Sequence, residues 1–365
     1  MTTGIQSCLL LWVNLYLVHF SKIEANCAGN GLMNNCACNF IGACTYDVSK
    51  NTFNARPGLA GNLRKYIPDV TPLGTPQTTE ICEPGNFGII YDCNNRIPLA
   101  ATIVMTADQY NDPAYKRPSN KFRQSSEMAD PSFQQNDDDY KDALNRKLCY
   151  ESLTNKVYYI ESNWYRAENK ISLGLFTVCP NTGPQDDLKT RVHRGHLIAA
   201  NYGRGTPNLI RSQQTFVYTN AVPQFGVLNS GSWQKHESML IEWAKSNCGS
   251  SPLHVIVGSI PSTYGKNEQR FFGGSGFSDF IGPSNTPGGN GYRVNVPSYL
   301  WTAACCHSPS NTFTKSTTFF AENLPTGFSQ QSVELSKLFS AMEAYPINLF
   351  PGMPSCNDDK NFVSL

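Results

Sequence analysis

Thr190-Arg191-Val192-His193-Arg194-Gly195-His196-Leu197-Ile198-Ala199-Ala200 is the stretch from which the rest of the chain is read. Two of the six histidines fall here, flanked by Lys189, Arg191 and Arg194, with Arg204 and Arg211 beyond. Polar residues this dense, lying between a Pro/Gly-rich loop and an apolar Leu-Ile-Ala-Ala run, predict a strand end that opens into a site. A neutral imidazole can take a proton from water, since its unperturbed pKa is about 6.5. A guanidinium presents a planar fork of donors to phosphate oxygens. His beside Arg therefore suits hydrolysis of an anionic ester. The plainer reading of a His-x-x-His pair is structural or solvent-exposed histidine.

A second stretch follows: Tyr218-Thr219-Asn220-Ala221-Val222-Pro223-Gln224, then Leu228-Asn229-Ser230-Gly231-Ser232-Trp233-Gln234-Lys235-His236-Glu237. Asn229 and Glu237 lie eight positions apart. At about 100° per residue a helix returns them to roughly the same face. Oxygen donors of this kind suit a hard divalent ion such as Mg²⁺, which keeps most of its water and needs one or two protein groups. Without a metal, Asn229 reads as a helix N-cap and Glu237 as a surface carboxylate.

Outward from these motifs, composition narrows the class. The 365 residues are 40% hydrophobic and 16% charged, ample for a core and too low in charge for a disordered chain. Lys+Arg 29 against Asp+Glu 28 leaves a formal charge of +1, so an anionic partner must be met by a local patch. The length suggests two domains, or one large domain with an appendage.

The apolar run Cys8–Phe20 is shorter than the ~20 residues a membrane span needs and is interrupted by Asn14 and His19. It predicts a signal peptide over residues 1–25, leaving at Ile23-Glu24-Ala25, and a secreted, extracellular protein with no membrane span after signal removal. An uncleaved N-terminal anchor is the alternative. Of thirteen cysteines, Cys8 lies in the signal and twelve remain, an even number that can pair off in an oxidising compartment. Cys36-Ala-Cys38 is too tight for a zinc knuckle. The pairing itself is not readable.

Residues 26–75 form a cysteine-rich N-terminal segment ending in a Pro/Thr-rich linker, Pro68 to Pro76. Residues 88–92 and 99–105 read as strands joined by a hairpin, with further strands expected at 157–160, 173–178 and 253–258. Residues 119–142 read as a solvated loop or helix start. The clearest helix runs from Gly231 to Asn247, with an apolar stripe of Trp233, Met239, Leu240, Trp243 and Ala244. Residues 283–291 and 308–318 read as low-complexity loops. Short strands with few helices predict an α+β domain.

Taken together and in this order, His193-Arg194-Gly195-His196-Leu197 and Thr219-Asn220-x-x-Pro223-Gln224-x-x-x-x-Asn229-x-Gly231-x-Trp233-x-x-x-Glu237 resemble the DNA/RNA non-specific endonuclease family, the ββα-metal nucleases. Ile81-Cys82, Tyr91-Asp92, Arg96-Ile97-Pro98 and Val296 to Ala303 are similar to its secreted animal branch. The resemblance covers about residues 80–350, leaving 351–365 as a C-terminal tail. It implies an α+β ββα-metal nuclease fold with a mixed or antiparallel sheet core, plus the small disulfide-rich N-terminal segment. It implies a Mg²⁺-dependent endonuclease, with Mn²⁺ or Ca²⁺ as alternatives, that meets DNA and RNA through the phosphate backbone and reads little sequence. In its terms His196 is the general base, Asn229 the direct ligand of a hydrated Mg²⁺ and Glu237 the holder of its water shell. Arg194 steadies the charge at phosphorus, and Asn220 helps organise the site. Arg166 and Arg211 are candidates for further arginines. The sequence departs from the family pattern at His193, where an Asp is usual, and at His236, where a Leu precedes the Glu.

Two other classes of answer remain open. A nuclease fold could serve as an extracellular-matrix or nucleic-acid- or anion-binding protein with weak or no catalysis, motivated by the neutral charge, the cysteine-rich segment and His193. A zinc hydrolase would use His193, His196 and His236, but Arg-Gly between the first two and no nearby acidic base speak against it. Oligomeric state is not readable.

Overall fold

The computed structural model describes residues 32–70, 78–83, 86–92, 95, 97–119, 122, 192–206, 209–262, 280–281, 294–308, 310, 312–323, 330–341 and 348–365. The strands are β1 (Cys44–Asp47), β2 (Thr52–Ala55), β3 (Thr78–Glu83), β4 (Phe87–Asp92), β5 (Ile97–Met105), β6 (Val192–His196), β7 (Ala221–Phe225), β8 (Leu253–Ile260), β9 (Phe280–Ile281), β10 (Val294–Asn295), β11 (Tyr299–His307), β12 (Thr314–Glu322) and β13 (Gln330–Gln331). The helices are α1 (Ala107–Tyr110), α2 (Ile210–Gln214), α3 (Gln234–Asn247) and α4 (Leu335–Ala341). The protein is α+β. The strands expected at 157–160 and 173–178, residues 123–142 of the expected polar loop, and the loop at 283–291 lie outside the described residues.

Seven antiparallel strands form the central sheet, in the order β13-β12-β11-β8-β5-β4-β3. β4, β5 and β8 are buried along their whole length. That explains their near-continuous apolar runs, since a strand covered on both faces cannot alternate with polar residues. Side-chain alternation sends Ala101, Ile103 and Met105 of β5 into one core and Ala100 into another, while Leu99, the extra residue at the β4–β5 register shift, joins Ala100 in the second. The first core is closed by the antiparallel pair β6–β7, with the residues 197–220 that connect them, and by α3. The second is closed by residues 33–70, α4 and residues 349–356. Val70, within the expected linker, is buried in that second core beside Ile67, which precedes it, and Asp69 bridges to Asn348.

Pro98 sits where the β4–β5 register shifts, between the pairs Ile90–Ala100 and Tyr91–Pro98. A bulge is where a residue without an N–H is tolerated in a sheet. In β8, a Cβ on Gly258 would stand 2.1 Å from the Trp301 ring, so the indole of β11 lies flat against bare backbone.

Four disulfides join described cysteines: Cys36–Cys82, Cys38–Cys44, Cys248–Cys306 and Cys305–Cys356. Cys305 and Cys306 are neighbours on β11 and therefore point to opposite faces. Cys306 is tied to the residue after α3, Cys305 to the C-terminal segment. By chain entropy each of the three bridges closing 46 to 58 residues is worth about 4 kcal/mol. Among the described residues no helix is long and apolar enough to cross a membrane.

Three sequence expectations are corrected. The helix expected from Gly231 begins at Gln234, because Gly231 leaves helical geometry (φ −109°, ψ −108°) and a wider π turn over Leu228–Trp233 precedes it. Met239 is 37% exposed, not core; the buried stripe runs His236, Leu240, Ala244, with Ile241 and Trp243 beside it. The low-complexity segment 308–318 is half strand: β12 starts at Thr314, and β-branched Thr317 and Thr318 are buried against the sheet.

His236 is the odd member of that stripe. Its ring stacks on Phe319 with centroids 3.8 Å apart, and neither nitrogen has a hydrogen-bond partner. Burial pushes its pKa down to about 3. Burial also lowers His254 to about 4, against a hydrogen bond to the Asn39 carbonyl that raises it. In the unfolded chain both protonate near pH 6.5, in the folded one far lower, so stability is full above 6.5 and falls as pH drops towards 4. We predict that His236→Leu raises stability by about 1–3 kcal/mol, by removing a buried unsatisfied polar group. It should also shallow the acid loss. Denaturant melts at pH 7.5 and pH 5 check this; a variant less stable than wild type at both pH values contradicts it.

Candidate active site

β6 places Arg194 and His196 two residues apart, hence on the same face of the strand. Gly195 between them faces the other way, where a Cβ would meet Gln224 Oε1 at 1.9 Å. The Arg-Gly-His spacing is thus a packing requirement as well as a chemical one. The chain leaving His196 is riveted by Asn220. Its Nδ2 donates to the carbonyls of Ile198 and Thr215 (both 2.9 Å), and its Oδ1 accepts from Ile198 N–H at 2.8 Å.

His196 lies in an aromatic cage, 4.8 Å from the Phe122 ring and edge-on to Phe216 at 4.6 Å. Its Nε2 is buried and has no hydrogen-bond partner among the described residues. The same cage carries the cations. Arg194 Cζ stands 4.9 Å over Phe122 and its Nη1 donates to Tyr218 Oη, while Arg117 Cζ stands 5.7 Å from Phe216. Burial first, then Arg117 and Arg194, push His196 down to about 3. The imidazole is therefore neutral, an available base, across the physiological range.

These groups open onto a cavity of about 60 Å³ lined by Arg117, Arg194, His196, Ala199, Ala200, Asn229, Ser230, Gln234 and Glu237. Asn229 stands on the π turn and Glu237 on the first turn of α3. The two face one cavity, but a kinked turn rather than one continuous helix brings them together. Burial pushes the Glu237 carboxyl up to about 8, partly opposed by Arg117.

Of the residues singled out from sequence, His196, Arg194, Asn229 and Glu237 line the cavity; Asn220 does not, and anchors the backbone behind it. Arg211 is spent elsewhere, donating to Gln109 Oε1 (3.0 Å) and the Val104 carbonyl (2.9 Å). Arg166 and the His193 side chain lie outside what is described. His236 points into the core and not at the cavity, so it cannot complete a three-histidine zinc site. Arg117, Phe122 and Phe216 were not found from sequence. The signal available was the Lys116-Arg117 pair, on a stretch that reads as connecting loop.

Among the described residues no group of three His, Cys, Asp or Glu could hold a metal ion. Asn229 offers one amide oxygen, and the Glu237 carboxyl becomes an oxygen donor only once its proton is displaced, so the pair fits a hard divalent cation that keeps most of its water.

A strand–strand–helix unit presenting an imidazole, two guanidiniums and an amide–carboxyl pair to one polar cavity defines a site for an anionic ester. The sequence matches the DNA/RNA non-specific endonuclease family over residues 70–344, and the chain belongs to that family of nucleases. Among solved structures it is similar to a chain of the EndoG/EndoGI complex, described as revealing the mechanism of EndoG inhibition. The two share 16% identity, over 76% of this chain and 87% of that one, with a TM-score of 0.43. Among curated proteins no match was found.

A cation held at Glu237 would compete with the proton that burial keeps on its carboxyl: below about pH 8 it would have to displace that proton, and above it the carboxylate is already free. We predict that Mg²⁺ affinity, read by calorimetry, rises from pH 6 to 8 by up to about tenfold per pH unit and then levels. Glu237→Gln should weaken binding and flatten this rise. An affinity independent of pH in the wild type rules the assignment out.

Proposed function

We propose that the protein is a secreted, divalent-cation-dependent endonuclease that hydrolyses phosphodiester bonds of DNA and RNA with little sequence preference. The observation that carries this reading is the meeting of His196, Arg194, Asn229 and Glu237 at one small polar cavity in a chain of the nuclease family.

His196, neutral and caged, takes the proton from a water as the water oxygen bonds to phosphorus and the bond to the leaving 3′ oxygen breaks. Arg194 donates to the phosphate oxygens as charge builds on them, and Arg117 offers a second guanidinium from the facing loop. Asn229 and Glu237 would hold the cation, which when bound supplies positive charge to the phosphate and the leaving oxygen. Asn220 keeps the backbone after His196 in register, so that the imidazole meets the cavity at a fixed angle. Every group named acts on the phosphodiester and none on a base, which supports weak sequence preference and salt-sensitive binding. Export is supported by the disulfides and by the apolar run Cys8–Phe20, and Mg²⁺ by the hardness of the donors.

Purified protein is expected to degrade plasmid DNA with Mg²⁺, to stop when EDTA is added, and to lose about 10²–10⁴-fold in rate as His196→Ala. Folded wild type that binds DNA yet leaves it intact with Mg²⁺, Mn²⁺ and Ca²⁺ overturns the enzymatic reading in favour of a nucleic-acid-binding role.

A further inference from the structure

Arg117 reaches the cavity from residues 112–119, a segment without regular structure between α1 and the end of its described stretch. Among the described residues its guanidinium has neither a hydrogen bond nor an ion pair; only the loose packing over Phe216 touches it. Among the described residues nothing at the side chain itself fixes where that charge stands. Its position is set by whatever fixes the loop.

Two residues earlier, Tyr115 does so. Its hydroxyl is 3.1 Å from Ser212 Oγ, and Ser212 Oγ donates to the Ala200 carbonyl at 2.7 Å. Because the Ser212 proton is committed to that carbonyl, Tyr115 must be the donor to Ser212. Burial raises the phenol, which keeps its proton in place for this. Over the ring lies the Arg204 guanidinium, 4.8 Å from the centroid, closing the phenol between two elements. Ala200 is itself a wall of the cavity. A single relay thus runs from Arg117's loop through Tyr115 and Ser212 to Ala200, another lining residue of the same cavity.

We propose that Tyr115 is the positioning residue for Arg117, holding its guanidinium at the cavity mouth where it meets a phosphate of the nucleic-acid substrate. The inference rests on the nuclease reading above. Ring and hydroxyl have separate duties: the ring stacks with Arg204, and the hydroxyl sets the distance between the loop and α2.

The test is a double-mutant cycle on a short DNA duplex with Mg²⁺, with kcat and KM measured at several salt concentrations. Arg117→Ala should lower kcat/KM by about 10²-fold and reduce the salt slope of KM by about one. Tyr115→Phe keeps the ring and loses one hydrogen bond, which should cost about threefold to tenfold and part of the same slope. Ser212→Ala should reproduce it. In the Arg117→Ala background Tyr115→Phe should cost less than twofold, because there is no longer a guanidinium to misplace. Equal losses with and without Arg117 mean the tyrosine acts only on stability, and the proposal fails. It fails equally if Arg117→Ala alone is silent, or if neither Tyr115→Phe nor Ser212→Ala changes kcat/KM. Should the wild type not cleave, the nuclease reading is what has failed. The same cycle is then read from the salt dependence of duplex Kd in EDTA, where an additive result still overturns the proposal.

Discussion

The constraint behind the whole structure is a central sheet whose inner strands are apolar on both faces. β4, β5 and β8 have no solvent side, so the sheet is stable only if a second and a third layer are laid against it. One layer is the β6–β7 pair with α3, and it carries the cavity. The other is assembled from the two ends of the described chain, residues 33–70 and 349–356, which share one apolar cluster with α4. Gly42 and Gly352 meet backbone to backbone there, where a Cβ on Gly42 would stand 2.3 Å from the Gly352 carbonyl oxygen. Chemistry and closure are thereby divided between opposite faces of one sheet.

Within the first layer, electrostatics arise from burial more than from pairing. His196 is pushed down chiefly by desolvation, and Glu237 pushed up by the same cause. Both groups are therefore uncharged in the absence of ligands, while Arg117 and Arg194 keep the wall positive. The wall of the cavity thus carries net positive charge, which favours an anion.

What the sequence made legible follows range of interaction. Strands β4, β5 and β8 announce themselves as apolar runs, and four cavity residues fall within the span from Arg194 to Glu237, where local spacing constrains them. The rest depends on partners far along the chain. The loop that brings Arg117 to the cavity is tied through Tyr115 to Ser212, 97 residues on, and Cys36 finds Cys82 across the start of the sheet. No periodicity records such pairings. Composition misled at Thr314–Thr318, where Ser and Thr suggest a loop although threonine's branched Cβ favours a strand. At Gly231, helical arithmetic put Asn229 and Glu237 on one face for the wrong reason, since the π turn and not a regular helix aims the amide.

The two layers are not independent, and β11 is why. Its adjacent cysteines face opposite ways, so one strand is bolted through Cys306 to the end of α3 and through Cys305 to the C-terminal segment. α3 begins with Glu237 in its first turn, and near its other end Trp243 Nε1 donates to the Val363 carbonyl. The C-terminal tail thus touches the layer that holds the cavity and, through Cys356, the layer that does not. A helix that must present a carboxyl at one end with sub-ångström consistency is best fixed at the other, where the fastening does not crowd the site. In this chain that fastening is covalent, and both its cysteines are fully buried.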